Sequence, residues 1–133
     1  MGYVDCVLKR HLLAPDADAP AAARALLREF ESDMGWQMGD AALVVSELVT
    51  NSVLHSDAAA EGPIELVVEF SDRALRVEVC DHGSAHAAGS VQAVASATGV
   101  GGLGLTIVGA LADAWGVEGN GQTCVWARFE RPV

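Results

Sequence analysis

The sequence has little positive charge, few aromatic residues and few cysteines. Its 133 residues include 8 Lys and Arg against 18 Asp and Glu, which gives a formal net charge of −10. This acidity argues against direct binding of nucleic acid or of an anionic membrane surface, because both attract clusters of positive charge. The longest apolar runs are also far shorter than the roughly 18–20 residues that a membrane-spanning helix needs. We therefore expect neither nucleic acid nor membrane as a partner.

The three cysteines, Cys6, Cys80 and Cys124, are odd in number and far apart in the chain. They form no Cys-x-x-Cys pair and no metal-ligand spacing, so we expect three reduced thiols. The amino-terminal segment has no positively charged start, and Lys9 and Arg10 interrupt its apolar residues, which is unlike a signal peptide. These features predict a cytoplasmic protein.

Hydrophobic residues make up 51 % of the chain and charged residues 20 %, which is typical of a globular protein with an apolar core. At this length we predict a single domain over residues 1–133. Apolar patterns bounded by turn residues predict five strands, over 3–13, 64–70, 75–80, 115–118 and 122–130. Helical spacing predicts three helices, over 21–34, 40–54 and 103–114.

Several details of these elements can be predicted. The first strand is expected at an edge, Asp40 is expected to be the N-cap of the second helix, and this helix is expected to be largely buried. Arg24 and Arg28 are expected on the exposed face of the first helix. The order of strands and helices lacks regular βαβ alternation. It predicts an α+β fold, a two-layer sandwich in which a mixed, mostly antiparallel sheet has its helices on one face.

The second predicted helix carries polar residues along one stripe. Glu47, Asn51 and His55 follow one another at intervals of four residues, so they share one side of the helix. The other faces of this helix are apolar, and an unpaired buried charge is costly. Two interpretations follow from the helix alone. These side chains bond neighbouring backbone, or they face a polar ligand or a metal ion.

Two further segments place glycine beside a strand end or a helix start. Asp81 ends a predicted strand and Gly83 follows, which is by itself a common way for a chain to leave a strand. Residues 99–105 read Gly-Val-Gly-Gly-Leu-Gly-Leu and run into the third helix. Such a segment is either a flexible connector or an anion site, formed by converging N–H groups and a helix N-terminus. It contains G-x-G-x-x-G, but no core strand precedes it, which makes it a weak Rossmann fingerprint.

The order and spacing of these motifs are more specific than any one of them. Residues 46–55 look like the N box of the GHKL ATPase superfamily, and residues 81–83 look like its G1 box. Residues 102–108 look like its G2 box, and residues 121–123 fit its weak final box. The resemblance covers essentially the whole chain. It is closest to the bacterial anti-sigma-factor serine/threonine kinases, which have a histidine-kinase-like ATPase domain.

This resemblance implies ATP and Mg²⁺ as cofactors and a role for each matching residue. Asn51 would hold the Mg²⁺ ion, and Glu47 would be the general base. Asp81 would accept a hydrogen bond from the adenine amino group, Gly83 would let the backbone approach the base, and Thr123 would support the adenine pocket. The segment that opens the third helix would cradle the phosphates: Gly101, Gly102, Leu103, Gly104 and Leu105.

The resemblance also implies a lid and protein partners. Residues 84–101 are rich in Ala, Ser and Gly and contain no Asp, Glu, Lys or Arg, and they match the position of the family's mobile lid. The implied partners are a sigma factor that the protein sequesters and an antagonist protein that it phosphorylates on serine. Related regulators often dimerise, so a homodimer is compatible with the resemblance.

The sequence departs from the kinase pattern in its positive charge. Kinases of this branch often carry a basic residue near the G2 box, yet residues 82–126 contain no Lys or Arg. The G1 box also lacks the second glycine of the fuller pattern. Two functions therefore stay open: a serine/threonine kinase acting on an antagonist protein, and a nucleotide-gated binding regulator without phosphotransfer activity. A partner or a second subunit could supply an arginine in trans.

Overall fold

The computed structural model describes residues 6–30, 38–55, 62–81, 103–119 and 122–131. Its strands are β1 (Val7–Leu13), β2 (Ile64–Phe70), β3 (Ala74–Asp81), β4 (Ala114–Gly119) and β5 (Thr123–Glu130). They form one five-stranded sheet in the order β1-β2-β3-β5-β4, and each of the four neighbouring pairs is antiparallel. The α+β fold class is confirmed, and β1 lies at an edge as predicted.

The helices are α1 (Ala19–Leu27), α2 (Met38–His55) and α3 (Leu103–Leu111), and a short 3-10 turn (Arg28–Phe30) follows α1. Pro20 lies in the first turn of α1, where its missing N–H costs no helical hydrogen bond. Within the described ranges, no helix is both long and apolar enough to cross a membrane.

Predicted boundaries of all three helices are wrong. α1 runs from Ala19 to Leu27 and a 3-10 turn follows it, whereas the prediction was 21–34. α2 begins at Met38, so Asp40 lies inside the first turn and is not the N-cap. In the first turn its negative charge still lies near the positive end of the helix dipole. α3 ends at Leu111, because Ala114 already pairs with Arg128 in the β4–β5 ladder.

The core lies between the sheet and the helices. Alternate residues of β2, β3 and β5 point to the helices and are buried, as period-two strands require. These inward residues are Ile64, Leu66, Val68, Leu75, Val77, Val79, Val125, Ala127 and Phe129. The helices contact this face of the sheet, and most side chains on the other face are half-buried or exposed.

The burial of α2 follows one stripe. The buried positions repeat at intervals of alternately three residues and one residue, which places them on one side of a helix: Ala41, Val44, Val45, Leu48, Val49 and Ser52. Leu43 and Leu54 are 43 % and 69 % exposed, so the expectation of burial around most of the helix is wrong. Apolar side chains on several faces do not require burial on all of them, since folded proteins expose much apolar surface.

The cysteines differ from the expectation of three reduced thiols. Cys80 on β3 and Cys124 on β5 form a disulfide across the two strands, whereas Cys6 is an exposed thiol. The two bonded residues are 44 positions apart in the sequence, but the register of β3 with β5 brings their Cα atoms to 4.0 Å. The prediction is therefore wrong for this pair, because strand register rather than local spacing determines which cysteines meet.

Candidate functional site

A buried polar pair lies at one end of the sheet. Asp81 and Thr123 are register partners on β3 and β5. They continue the inward alternation of Val79 and Val125, so they face the helices. Their exposed fractions are 8 % and 2 %. This end of the apolar core therefore contains a carboxylate beside a hydroxyl.

The Thr123 hydroxyl has no hydrogen-bond partner among the described residues. A buried polar group that lacks a partner costs about 1–3 kcal/mol, so such groups are rare in folded proteins. A ligand bound at this end of the sheet would supply the missing bond. This end of the sheet therefore has a buried hydroxyl whose hydrogen-bonding capacity no described residue uses.

Glu47 and Asn51 lie one turn apart on α2, and both are half-buried. They flank the buried stripe of this helix, which packs against β3, β5 and α3. The elements that carry the predicted polar residues therefore contact one another. Carboxylate and amide oxygens are also the ligand atoms that Mg²⁺ prefers.

A hydrogen bond that the sequence analysis missed joins this part of α2 to α1. Arg24 Nη1 donates to Ser46 Oγ over 2.7 Å, directly before Glu47. Arg24 is half-buried and not exposed as predicted, whereas Arg28 is exposed. The periodicity of one helix places a residue on its polar face but does not show which neighbouring helix covers that face, so the sequence carried no signal for this contact.

The glycine-rich segment leads into α3, as predicted. Leu103, Gly104 and Leu105 are the first residues of this nine-residue helix. The first N–H groups of a helix have no partner within it, and together with the helix dipole they favour an anion. The remaining glycines and the lid of the prediction lie outside the described residues: Gly83, Gly101, Gly102 and residues 84–101.

The arginines of the sheet lie on the face away from the helices, and each is paired with a glutamate. Arg10 Nη1 lies 3.5 Å from Glu65 Oε2, and Arg76 Nη2 lies 3.5 Å from Glu78 Oε2. Arg128 Nη1 lies 3.9 Å from Glu130 Oε2. None of these three guanidinium groups is on the side of the sheet that carries Asp81, so they do not add positive charge to that side.

The comparisons with known proteins agree with this geometry. The family model of the histidine kinase-like ATPase domain matches residues 13–129. The chain belongs to this family. Membership implies that the ATPase domain binds ATP. The matched residues include β2, β3, β4, all of β5 but its last residue, and only the last residue of β1. No curated protein matches the sequence.

A solved structure has the same fold as this ATPase domain. It is that of the RsbU and RsbW domains of Rv1364c from Mycobacterium tuberculosis, with a TM-score of 0.68 and 22 % sequence identity. The match covers 96 % of this chain and 34 % of that chain. The ATPase domain thus spans about a third of the length of that relative, and at this identity the likeness shows the shared fold alone.

The chemistry of the described polar side chains is compatible with an adenine nucleotide. A buried carboxylate such as Asp81 can accept a hydrogen bond from the adenine amino group. The Thr123 hydroxyl has no hydrogen-bond partner within the described ranges. The oxygens of Glu47 and Asn51 suit a hard divalent cation. These side chains therefore offer the kinds of atoms that an adenine base and a divalent cation would need.

Proposed function

We propose that this protein binds Mg-ATP at the helix-facing end of β3 and β5 and phosphorylates a partner protein on serine or threonine. The observation that carries the proposal is the buried pair of Asp81 and Thr123, whose hydroxyl has no partner in the described part of the chain. The helix that bears Glu47 and Asn51 packs against the same two strands. Membership of the ATPase family indicates that the bound nucleotide is ATP.

Each proposed role follows from the chemistry of the side chain. Asp81 accepts a hydrogen bond from the adenine amino group, and Thr123 bonds the nucleotide inside the pocket. Asn51 offers its amide oxygen to Mg²⁺, which when bound neutralises phosphate charge. Glu47 accepts the proton of the attacking hydroxyl, as a general base. Phosphoryl transfer needs mainly positioning and charge neutralisation, and these groups provide both.

The proposed partners are a sigma factor and an antagonist protein. The resemblance of the N, G1 and G2 boxes to anti-sigma-factor kinases supports them, and so does the shared fold with an RsbW-containing structure. In this proposal the protein sequesters the sigma factor until the antagonist competes for it, and phosphorylation of the antagonist restores sequestration. A homodimer and a cytoplasmic location remain expectations from the sequence.

The placement of positive charge favours a second function. The described sheet arginines lie on the far face and are paired with glutamates. Residues 82–126 contain no Lys or Arg. Without an arginine from a partner, the terminal phosphate lacks a cationic side chain in the transition state. The second function is therefore a nucleotide-gated regulator, in which bound ATP changes affinity for a partner without transfer of phosphate.

Calorimetric titration with ATP and ADP, with and without Mg²⁺, tests the nucleotide site. We expect Mg²⁺ to tighten ATP binding, and we expect Asn51→Ala to abolish this effect of Mg²⁺. Asp40→Asn is the control, because Asp40 is an exposed residue in the first turn of the same helix. Absence of ATP binding under every condition would contradict the proposal. Equal effects of Mg²⁺ on wild type and Asn51→Ala would contradict the role of Asn51.

Radiolabelled ATP separates the two functions. With a serine-containing antagonist protein, the kinase transfers label to that protein, and Glu47→Gln lowers the rate by about 10²–10⁴-fold while ATP binding persists. The gated regulator transfers no label, but ATP changes its affinity for the partner. Full transfer by Glu47→Gln would show that another group is the base.

A further inference from the structure

The face of the sheet away from the helices carries a row of metal-binding side chains. The strand register places Glu65, Cys80, Cys124 and Glu118 side by side on β2, β3, β5 and β4. Glu78 lies two residues before Cys80, so it shares the same face. The topology thus gathers two sulfur atoms and three carboxylates from four strands.

The ligand atoms of Glu78, Cys80 and Cys124 all lie within 4.8 Å of one another. Zn–S bonds of about 2.3 Å and Zn–O bonds of about 2.1 Å in a tetrahedron separate neighbouring ligand atoms by about 3.5–3.8 Å. After the S–S bond breaks, the two sulfur atoms must move apart to this separation, and rotation about the side-chain bonds of the two cysteines provides this movement. The disulfide occupies both sulfurs, so the site requires its reduction.

The surroundings of these three residues suit a cation. They line an open groove of about 290 Å³ that also includes Glu65, Glu118 and Arg10, so three carboxylates outnumber one guanidinium group among the lining side chains. The two cysteines are 4 % and 8 % exposed, which shields a bound metal from competing ligands in solvent. The chain as a whole carries a net charge of −10, which favours binding of positive ions.

Glu78 is already oriented by its neighbours. Arg76 Nη2 lies 3.5 Å from Glu78 Oε2, and the Arg76 guanidinium carbon lies 5.1 Å from the centroid of the Trp126 ring. Such a partner fixes the position of a metal-binding carboxylate and leaves its second oxygen for the metal. Glu65 is instead paired with Arg10, so Glu78 is the better carboxylate ligand.

We propose that reduction of the Cys80–Cys124 disulfide creates a Zn²⁺ site formed by the two thiolates and the Glu78 carboxylate. A dithiol reductant transfers two electrons and two protons, so that the S–S bond breaks, two thiols form and the reductant becomes a disulfide. Zn²⁺ then displaces both thiol protons. It forms bonds to two sulfurs and one carboxylate oxygen, and water takes the fourth position. The disulfide and the bound metal are mutually exclusive states.

This inference is independent of the proposed function. Cys80 and Cys124 are adjacent in sequence to Asp81 and Thr123, but consecutive strand residues point to opposite faces. The metal site therefore lies across the sheet from the nucleotide site. Binding of Zn²⁺ can be tested without nucleotide, and failure of either proposal leaves the other standing.

The experiment uses the full chain with Cys6→Ser, so that Cys80 and Cys124 are its remaining cysteines. Oxidised and reduced samples are titrated with Zn²⁺ against a chromophoric chelator, and with Co²⁺ to observe the thiolate-to-cobalt charge-transfer band. We expect the reduced protein to bind one equivalent, to show the band, and to bind at least 100-fold more tightly than the oxidised protein. Equal affinity in both states, or no band in the reduced state, would overturn the proposal.

Two glutamine substitutions identify the third ligand. We expect Glu78→Gln to weaken Zn²⁺ binding by about tenfold or more. Glu130→Gln should leave it unchanged, because Glu130 is an exposed carboxylate at the other end of β5 on the same face. Equal affinities of wild type and Glu78→Gln would refute the three-ligand site. Circular dichroism measures whether the reduced, metal-free protein keeps its secondary structure. If that form loses structure, restoration by Zn²⁺ supports the proposal, and failure to restore it counts against the site.

Discussion

Two neighbouring rows on β3 and β5 share the same backbone but face different surroundings. Asp81 and Thr123 point to the helices, and Cys80 and Cys124 point away from them. Their exposed fractions are 8 %, 2 %, 4 % and 8 % in that order. Burial therefore does not distinguish the rows. What distinguishes them is the chemistry that each row meets on its own side of the sheet.

The helix-facing row ends an apolar core, and its Thr123 hydroxyl has no hydrogen-bond partner among the described residues. The outer row lies among ion pairs such as Arg76–Glu78, so its sulfur atoms have carboxylates within reach. One pair of strands thus presents two different sets of side chains, a carboxylate with a hydroxyl on one face and sulfur with carboxylates on the other. Period-two alternation separates them by the thickness of a single sheet.

The strongest test of the difference between the faces replaces consecutive residues of β5. Phe129 is fully buried on the helix side, and Arg128 is exposed on the outer side. We expect Phe129→Ala to lower the free energy of unfolding by about 3–5 kcal/mol. Arg128→Ala should change it by no more than about 0.5 kcal/mol. Urea unfolding measures both, and similar losses for the two variants would show that the faces do not differ in this way.

The next effect concerns the outer row. Breaking the Cys80–Cys124 bond should lower the free energy of unfolding by about 2–4 kcal/mol, because the cross-link closes a long loop in the unfolded chain. Denaturation of oxidised and reduced protein with a chelator present measures this without contribution from metal. Cys6→Ala is the control and should leave both curves in place. Coincident oxidised and reduced curves would show that the cross-link does not stabilise the fold.

Asp81→Asn tests the inner row. Replacing a charged acceptor removes about 1.5–3 kcal/mol of binding, so the affinity for ATP should fall roughly ten- to hundredfold. The matched control is Glu78→Gln, three residues earlier on the same strand but on the outer face. Calorimetry should show unchanged ATP binding for this control. If both substitutions weakened the binding of ATP equally, a change on the outer face of the sheet would affect the nucleotide site on the inner face, contrary to this prediction.

The smallest expected effect is that of Thr123→Val, which should not destabilise the nucleotide-free protein but should weaken its binding of ATP. Thr123→Val removes a buried hydroxyl for which the described residues offer no partner. Without nucleotide, the free energy of unfolding should stay equal or rise by up to about 1 kcal/mol. With ATP the lost hydrogen bond should weaken binding roughly fivefold, which corresponds to about 1 kcal/mol. Loss of stability in the nucleotide-free protein would show that the hydroxyl already has a partner there.

The fold could be predicted from local patterns because its strands alternate clearly. Ile64, Leu66 and Val68 mark the inward face of β2, and the motifs gave the order of the elements around them. Contacts between distant segments were not predictable. The Cys80–Cys124 bond depends on the register of strands that are far apart in sequence, and periodicity within one segment contains no information about that register.

In the candidate site too, some features could be predicted from the sequence and contacts between distant segments could not. The motif order indicated that Asp81 and Thr123 belong together, and the structure places them opposite each other on adjacent strands. The roles of Glu47 and Asn51 remain predictions. The Arg24–Ser46 hydrogen bond could not be predicted, because it depends on how α1 lies across α2.

The cross-strand disulfide also fixes the alignment of β3 with β5. A shift of one residue between β3 and β5 would separate the two cysteines, and it would also separate Asp81 from Thr123. Such a slip turns every side chain of a strand to the other face of the sheet. While the bond is intact, the strands cannot slide past one another at this point. The covalent link on one face thus preserves the alignment of the polar pair on the other.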